Sequence, residues 1–261
     1  YPAPGNYSVK LTATSVYGCT DSFTQSFTIH PQATVSIATP VEYCQDAALQ
    51  LFGSATSIPA ISKWSWDFGD NTTDTLQNPA HRFATADTFS VRLFAETVEG
   101  CSSDTVYKPV IINPLPLAGF TFTGLQCKNQ LINFQDTSRP MIGSITNYTW
   151  SFDDGTSAGG NMTTRTYPAA GSYQVRLSVQ NSKGCISKPV FQQVVINPSP
   201  VVQFLLPEIC NGMNGVFTDT SFISDGSEQL FTYTWSIEGT QYLTKNASHI
   251  FNNPGNYPVR L

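Results

Sequence analysis

Trp64-Ser-Trp-Asp-Phe-Gly-Asp70 is answered twice further along the chain, by Tyr148-Thr-Trp-Ser-Phe-Asp-Asp-Gly155 and by Tyr233-Thr-Trp-Ser-Ile-Glu-Gly239. The tryptophans common to the three phrases, Trp66, Trp150 and Trp235, follow one another at steps of 84 and 85. A phrase that returns at a fixed period marks one folding unit copied along a chain. The 261 residues are therefore read as a tandem array, and a mechanical or adhesive role is expected before a catalytic one.

Other landmarks keep the period. Asn113-Pro114-Leu-Pro116 and Asn197-Pro198-Ser-Pro200 are separated by a step of 84, and His30-Pro31 comes 83 before Pro114. Ala3-Pro4-Gly5-Asn-Tyr7, Thr85-Ala86-Asp87-Thr-Phe89, Ala169-Ala170-Gly171-Ser-Tyr173 and Asn253-Pro254-Gly255-Asn-Tyr257 follow at steps of 82, 84 and 84. Gly18-Cys19, Gly100-Cys101 and Gly184-Cys185 each close a predicted hairpin. These landmarks divide the chain into 1–32, the back third of a copy; 33–113 and 114–198, two complete copies; and 199–261, the front two thirds of another. They are called copies one to four below. The expectation is that the chain is a window on a longer natural polypeptide.

Period-two alternation identifies the elements. Tyr173-Gln-Val-Arg-Leu-Ser-Val179 sets Tyr, Val, Leu and Val against Gln, Arg and Ser. Tyr7–Leu11, Phe89–Leu93 and Tyr257–Leu261 repeat the pattern. Such alternation marks a half-buried antiparallel strand. Turn clusters of Gly, Asn, Asp and Pro recur every 8–12 residues, which favours a sandwich. The predicted fold is all-β: tandem immunoglobulin-like sandwiches of seven or so strands, with a Trp in the third. The Asn-Pro-x-Pro joints are short and stiff because each Pro fixes φ. An elongated array with negligible helix is expected.

Composition narrows the function. Charged residues make up 12% of the chain, about half the usual share of roughly 25%. The net charge of −5 argues against nucleic acid and against anionic membranes as partners. No targeting segment or long apolar span occurs, so no membrane insertion is expected. Six Cys in a chain rich in Thr, Ser and Asn point to an oxidising, extracellular setting. Zinc spacing is absent.

Trp66, then Asp67-Phe-Gly-Asp70, Asn78-Pro79-Ala-His81-Arg-Phe83 and Thr85–Leu93 resemble the PKD (polycystic kidney disease) domain. The family pattern runs W-D-F-G-D-G, N-P-x-H-x-Y, G-x-Y-x-V-x-L. Ser151-Phe-Asp-Asp-Gly155 is a variant of it, and Ile237-Glu-Gly239 has lost the Asp. The paired Cys and the Gly-Cys hairpins look like PKD modules of giant Bacteroidota surface proteins, including adhesins linked to gliding motility and type IX secretion. The resemblance implies a non-catalytic stalk or filament segment of an extracellular, cell-surface adhesin. Its neighbours would be further PKD copies, with surface glycans or other proteins as partners. Two other readings stand beside it: an accessory array on a secreted hydrolase, and a polysaccharide-binding module.

Candidate sites are few. Asp67, Asp70, Asp153 and Asp154 are the only clustered acids. They are calcium candidates, since Ca²⁺ takes several oxygen ligands and some PKD modules bind it. Capping a tight turn is the favoured reading of the same four acids, and it needs no cofactor. His81 and His249 occupy the same slot of the repeat, which Arg165 fills in copy three, so they read as parts of the module. No nucleophile pairs with either His, and no enzymatic activity is expected. Sequons stand at Asn6, Asn71, Asn147, Asn161 and Asn246. Asp74-Thr75-Leu76 and Asp104-Thr105-Val106 resemble the Bacteroidota O-glycosylation motif, making Thr75 and Thr105 glycosylation candidates. Trp66, Trp150 and Trp235 are predicted core residues.

Two disulfide schemes compete. Spacing offers Cys44–Cys101 and Cys127–Cys185, each within one copy. Topology favours Cys44–Cys185, across two copies. In a sandwich the turn after the first strand and the last hairpin sit at opposite poles, about a strand length of 17–20 Å apart. Bridged Cα atoms must lie within about 7 Å. The remaining four Cys would then find partners elsewhere. Under the spacing scheme only Cys19 and Cys210 would lack one.

Overall fold

The computed structural model describes residues 3–56 and 60–261, and they form an all-β protein. The one helical element among them is a 3₁₀ turn at Glu228–Leu230. The chain forms two compact units. The first comprises residues 1–118, 138–147 and 178–188; the second comprises 119–137, 148–177 and 189–261.

In the first unit, strands Gly5–Thr14 and Thr20–Ile29 make a ten-residue antiparallel hairpin. Copy two follows as a sandwich. One sheet runs Glu42–Cys44, Val106–Asn113, Thr88–Thr97, Ile61–Asp67, Thr73–Asp74 in spatial order. Facing it are two short antiparallel pairs, Thr34–Ala38 with Phe52–Thr56 and Leu49–Gln50 with Ala80–His81. The alternation of Thr88–Thr97 sends Val91, Leu93, Ala95 and Thr97 inward. Val91 and Leu93 join Leu49, Leu51, Phe68, Phe83, Val110 and Ile112 around Trp66. Burying each large apolar side chain stabilises the fold by about 1.5–3 kcal/mol. The strand Glu42–Cys44 pairs parallel with Ile111–Asn113, placing Cys44 beside Asn113 at the end of the copy.

The second unit repeats the plan. Phe120–Thr123, Leu131–Asp136 and Met162–Thr166 form one sheet. Ser157–Ala158, Ile145–Phe152, Gly171–Asn181 and Val190–Ile196 form the other, and Ile145–Phe152 and Gly171–Asn181 contribute residues to both units. Copy four supplies Phe204–Leu205, Asn214–Asp219 and Ala247–Ile250, with Thr240–Tyr242, Trp235–Ile237 and Val259–Arg260 as its second sheet.

The three tryptophans are 2%, 0% and 0% exposed. Each also satisfies its one polar atom. The indole N–H donates to Leu76 O at 2.8 Å in copy two, Gly160 O at 2.9 Å in copy three and Thr244 O at 3.1 Å in copy four. A buried indole N–H left without an acceptor would cost about 1–3 kcal/mol. A tyrosine corner recurs as well: Tyr7, Tyr173 and Tyr257 each donate their hydroxyl to the carbonyl four residues earlier. Phe89 holds that place in copy two and has no hydroxyl to donate.

Candidate functional site

The clustered acids are committed to the turn that follows each tryptophan strand. Asp67 Oδ1 accepts from the Gly69 N–H at 2.8 Å, and its Oδ2 pairs with Arg92. Asp70 accepts from the Thr72 N–H at 3.1 Å and hydroxyl at 2.5 Å, and meets His81 Nε2 at 2.7 Å. Burial opposes ionisation of Asp70. The hydrogen bonds from Thr72 and His81 outweigh it and hold the carboxyl below its ordinary pKa. In copy three Asp153 accepts from the Gln174 N–H at 2.5 Å. Asp154 accepts from the Thr156 N–H at 3.0 Å and pairs with Arg165. The four carboxylates thus serve backbone N–H groups and cations. Among the described residues no three His, Cys, Asp or Glu side chains are grouped to hold a metal ion.

Cys44 and Cys185 are bonded, with Cα atoms 5.5 Å apart and a sequence separation of 141. Both belong to the first unit, which therefore includes the last hairpin of copy three. Cys101 and Cys127, the partners that spacing alone suggests, are free thiols, as are Cys19 and Cys210. Ion pairs flank the bridge. Lys183 Nζ meets Glu42 Oε2 at 2.8 Å, and Lys188 Nζ meets Asp46 Oδ2 at 3.2 Å. Hydrogen bonds from Lys183 and then from Asn113 lower the Glu42 pKa. The hairpin is held for bonding by its own backbone. Gly184 takes φ 81°, a conformation that a side chain disfavours, and the Asn181 side chain accepts from the Cys185 N–H at 3.0 Å.

Comparison with known proteins places this architecture. The family model of the PKD domain matches residues 28–111, 113–196 and 197–261. The chain belongs to the PKD-domain family. It is similar to the pre-pro-metalloprotease PrtV of Vibrio cholerae serotype O1, in strains M66-2 and ATCC 39315 alike. The identity is 28% over 137 residues, which is 51% of this chain and 14% of the protease. The chain thus spans a small fraction of that relative's length. Among solved structures, the PKD1 domain of the Vibrio cholerae metalloprotease PrtV is 29% identical. That match covers 31% of this chain and 96% of that one, with a TM-score of 0.28. Fibronectin(III)-like modules of Clostridium thermocellum CbhA match at 14% identity over 63% of this chain and 95% of theirs, with a TM-score of 0.35.

Across the PKD copies the acid turn has a constant partner. Asp70–His81, Asp154–Arg165 and Glu238–His249 each pair an acid with a cationic or imidazole side chain at the same offset, 11 further on. Ile237-Glu-Gly239 lacks the Asp, as its sequence shows, and Glu238 takes the place of Asp70: its Oε2 meets His249 Nε2 at 2.9 Å. Glu238 was missed because its side chain is one methylene longer and its pattern lacks the Asp; the constant offset was the available signal. An aromatic ring covers the partner. His81 stacks on Phe68 with centroids 4.0 Å apart, and Arg165 lies over the Phe152 ring at 4.8 Å. His249 meets Phe251 edge-on at 4.8 Å, and its Nδ1 shares a 2.8 Å hydrogen bond with the Tyr242 hydroxyl. These contacts tie the turn to the facing sheet and explain why the slot follows the repeat.

Thr75 and Thr105 are both exposed, and the fold brings them to one open hollow of about 450 Å³. Lys63, Asp67, Arg92 and Tyr107 share its lining. Asn71 sits in a left-handed turn at φ 70°. Two of the other sequon side chains are engaged in the fold: the Asn6 carbonyl accepts from the Thr28 hydroxyl at 2.8 Å, and the Asn246 carbonyl accepts from the Asp219 N–H at 2.9 Å. Among the described residues no helix is long and apolar enough to cross a membrane.

Proposed function

We propose that this chain is a non-catalytic stalk segment of a large extracellular surface protein, an adhesin of the kind that Bacteroidota use in gliding and export by type IX secretion. The observation that carries the reading is the Cys44–Cys185 bond, which ties the end of one PKD copy to the hairpin of the next. A covalent tie between successive modules suits a part whose task is to transmit force. The surrounding groups fit a structural task too, since the repeat's acids are spent on turn capping and ion pairs. Partners would be further PKD copies and, at the distal end, surface glycans or proteins. Thr75 and Thr105 are proposed sites of O-glycosylation, and a glycan in their shared hollow would shield that sheet face.

The similarity to PrtV favours a second reading, an accessory array on a secreted hydrolase. One experiment separates the two. An in-frame deletion of this segment is made in the native host, followed by assays of attachment and of hydrolase activity in the medium. The stalk reading expects attachment to fall while secreted activity is unchanged. Loss of secreted hydrolysis with attachment intact would overturn it in favour of the hydrolase.

A further inference from the structure

The Cys44–Cys185 bond joins two local structures that recur along the chain, and elsewhere each recurs with its cysteine free. The first is a turn at the pole of each copy. Cys44, Cys127 and Cys210 follow one another at equal steps of 83. Two residues on, the backbone is left-handed in all three, at Asp46 (φ 61°), Asn129 (φ 61°) and Gly212 (φ 75°). That residue's N–H donates to an aromatic residue's carbonyl: Phe83 at 3.0 Å, Tyr167 at 2.9 Å, Phe251 at 2.9 Å. The cysteine carbonyl accepts from Ala47, Gln130 and Met213 at 3.2, 3.1 and 3.0 Å. Cys127 also pairs parallel with Asn197, as Cys44 does with Asn113.

The second structure is the Gly-Cys hairpin. In three places a residue four before the cysteine, Ser15, Thr97 or Asn181, donates its N–H to the cysteine carbonyl at 2.8, 3.0 and 3.0 Å. Its side-chain oxygen accepts from the cysteine N–H at 3.3, 3.2 and 3.0 Å. The glycines Gly18, Gly100 and Gly184 agree in φ at 81°, 82° and 81°. Cys19 and Cys101 therefore stand as Cys185 stands, and Cys127 and Cys210 as Cys44 stands.

We propose that the four free cysteines are halves of further bridges of this kind, so that a PKD array of this type is covalently laddered, each pole bonded to the hairpin of the following copy. The four cannot satisfy one another. In the bond observed the hairpin follows its pole at a sequence separation of 141, whereas Cys19 and Cys101 both precede Cys127 and Cys210. In such a ladder Cys127 takes as its partner a Gly-Cys hairpin of the Cys185 kind on the copy after its own. Each bridge forms as two thiols give up two protons and two electrons, and the disulfide of a thiol–disulfide oxidoreductase takes them and becomes a dithiol.

The charges around the halves differ from joint to joint. Lys183 and Lys188 beside Cys185 meet Glu42 and Asp46 beside Cys44. The corresponding hairpin positions next to Cys101 are Glu99 and Asp104, and the corresponding pole positions next to Cys127 are Leu125 and Asn129. The Glu42–Lys183 pairing is therefore a feature of one joint and not of the repeat.

The ladder holds for a surface stalk and for a hydrolase-borne array alike, so its failure is distinguishable from failure of the proposed function. The test is a thiol map of the native protein carrying this chain, alkylated with a maleimide before unfolding, digested without reductant and read by mass spectrometry. The expected result is unalkylated Cys127 in a peptide cross-linked to a Gly-Cys hairpin, alongside the Cys44–Cys185 peptide. Alkylated Cys127 in molecules that retain Cys44–Cys185 would overturn the proposal, as would a Cys101–Cys127 cross-link. In the Cys127→Ser variant one additional free thiol should appear, on that hairpin, and an unchanged thiol count would refute the ladder. Should the variant not be secreted, the wild-type map decides.

Discussion

Copies two and three share a skeleton and differ in how its slots are filled. Asp70 faces His81 in one, and Asp154 faces Arg165 in the other. Phe83 closes the core of copy two, whereas Tyr167 stands at the same place in copy three with a buried hydroxyl that has no hydrogen-bond partner among the described residues. The pole of copy two is bonded through Cys44, and the pole of copy three ends in a free Cys127. The backbone turns that present these groups are nonetheless alike. The bond onto the pole cysteine's carbonyl measures 3.2 Å in copy two and 3.1 Å in copy three, and the bond onto the hairpin cysteine's carbonyl measures 3.0 Å in both. The difference teaches that the turn geometry belongs to the repeat, while charge and covalent bonding belong to the particular joint.

If the cores are equivalent, truncating their central residue must cost the same in each. Trp66→Ala and Trp150→Ala should each destabilise the copy that carries it by about 3–5 kcal/mol, through lost burial and the cavity left behind. Urea unfolding followed by circular dichroism checks this. A difference of more than about 2 kcal/mol between the two would break the equivalence.

The joint is where the copies part. Cys44→Ser should destabilise the first unit by about 2–4 kcal/mol, the range expected for opening a long covalent loop. Cys127→Ser in the 261-residue chain should leave stability within about 0.5 kcal/mol of wild type, because that thiol is unbonded here. Equal losses for the two variants would contradict the comparison. Chemical denaturation without reductant reads both.

The acid turn gives a smaller effect with a definite pH signature. Asp70→Asn should cost copy two about 1–3 kcal/mol at pH 7 through weakened charge-assisted hydrogen bonds from Thr72 and His81. The folded pKa of Asp70 lies below its ordinary value. Its contribution is therefore present above about pH 4, the unfolded carboxylate range, and is lost as pH falls through the folded value. Unfolding curves at pH 7 and pH 3 should show the gap between wild type and variant closing. A gap that stays constant would mean that the Asp70 charge does not matter.

Tyr167→Phe is the smallest change and has the opposite sign. Removing a buried, unbonded hydroxyl should stabilise copy three by up to about 1 kcal/mol, since the ring keeps its packing on Tyr173 at 4.3 Å. A loss of stability, read as a lower melting temperature, would show that the hydroxyl has a partner after all.

Much of this fold is legible in the sequence because the repeat averages over local noise. The alternation of Tyr173–Val179 lies inside the strand Gly171–Asn181, and that of Phe89–Leu93 inside Thr88–Thr97. The same pattern at Tyr257–Leu261 yields only Val259–Arg260, paired on one side with Ser236 and Ile237. Alternation describes which face is buried, whereas a ladder also needs a neighbour, and that stretch has one neighbour among the described residues. The parallel pairing of Glu42–Cys44 with Ile111–Asn113 left no mark in the sequence, since so short a strand carries no periodicity. The acids of the turn were legible as turn caps, through the preference of Asp for such positions. Their partners were not, because His81, Arg165 and His249 follow their acids by only 11 residues yet lie on the facing sheet, and the sequence shows the recurring slot without showing what it faces.

Disulfide mapping of the purified 261-residue chain from an oxidising host tests the bond between successive copies directly. Non-reducing digestion and mass spectrometry should recover one cross-linked peptide, joining Cys44 to Cys185, with Cys19, Cys101, Cys127 and Cys210 alkylated. Cross-links of Cys44 to Cys101 and of Cys127 to Cys185 would place every bridge within a copy and contradict it.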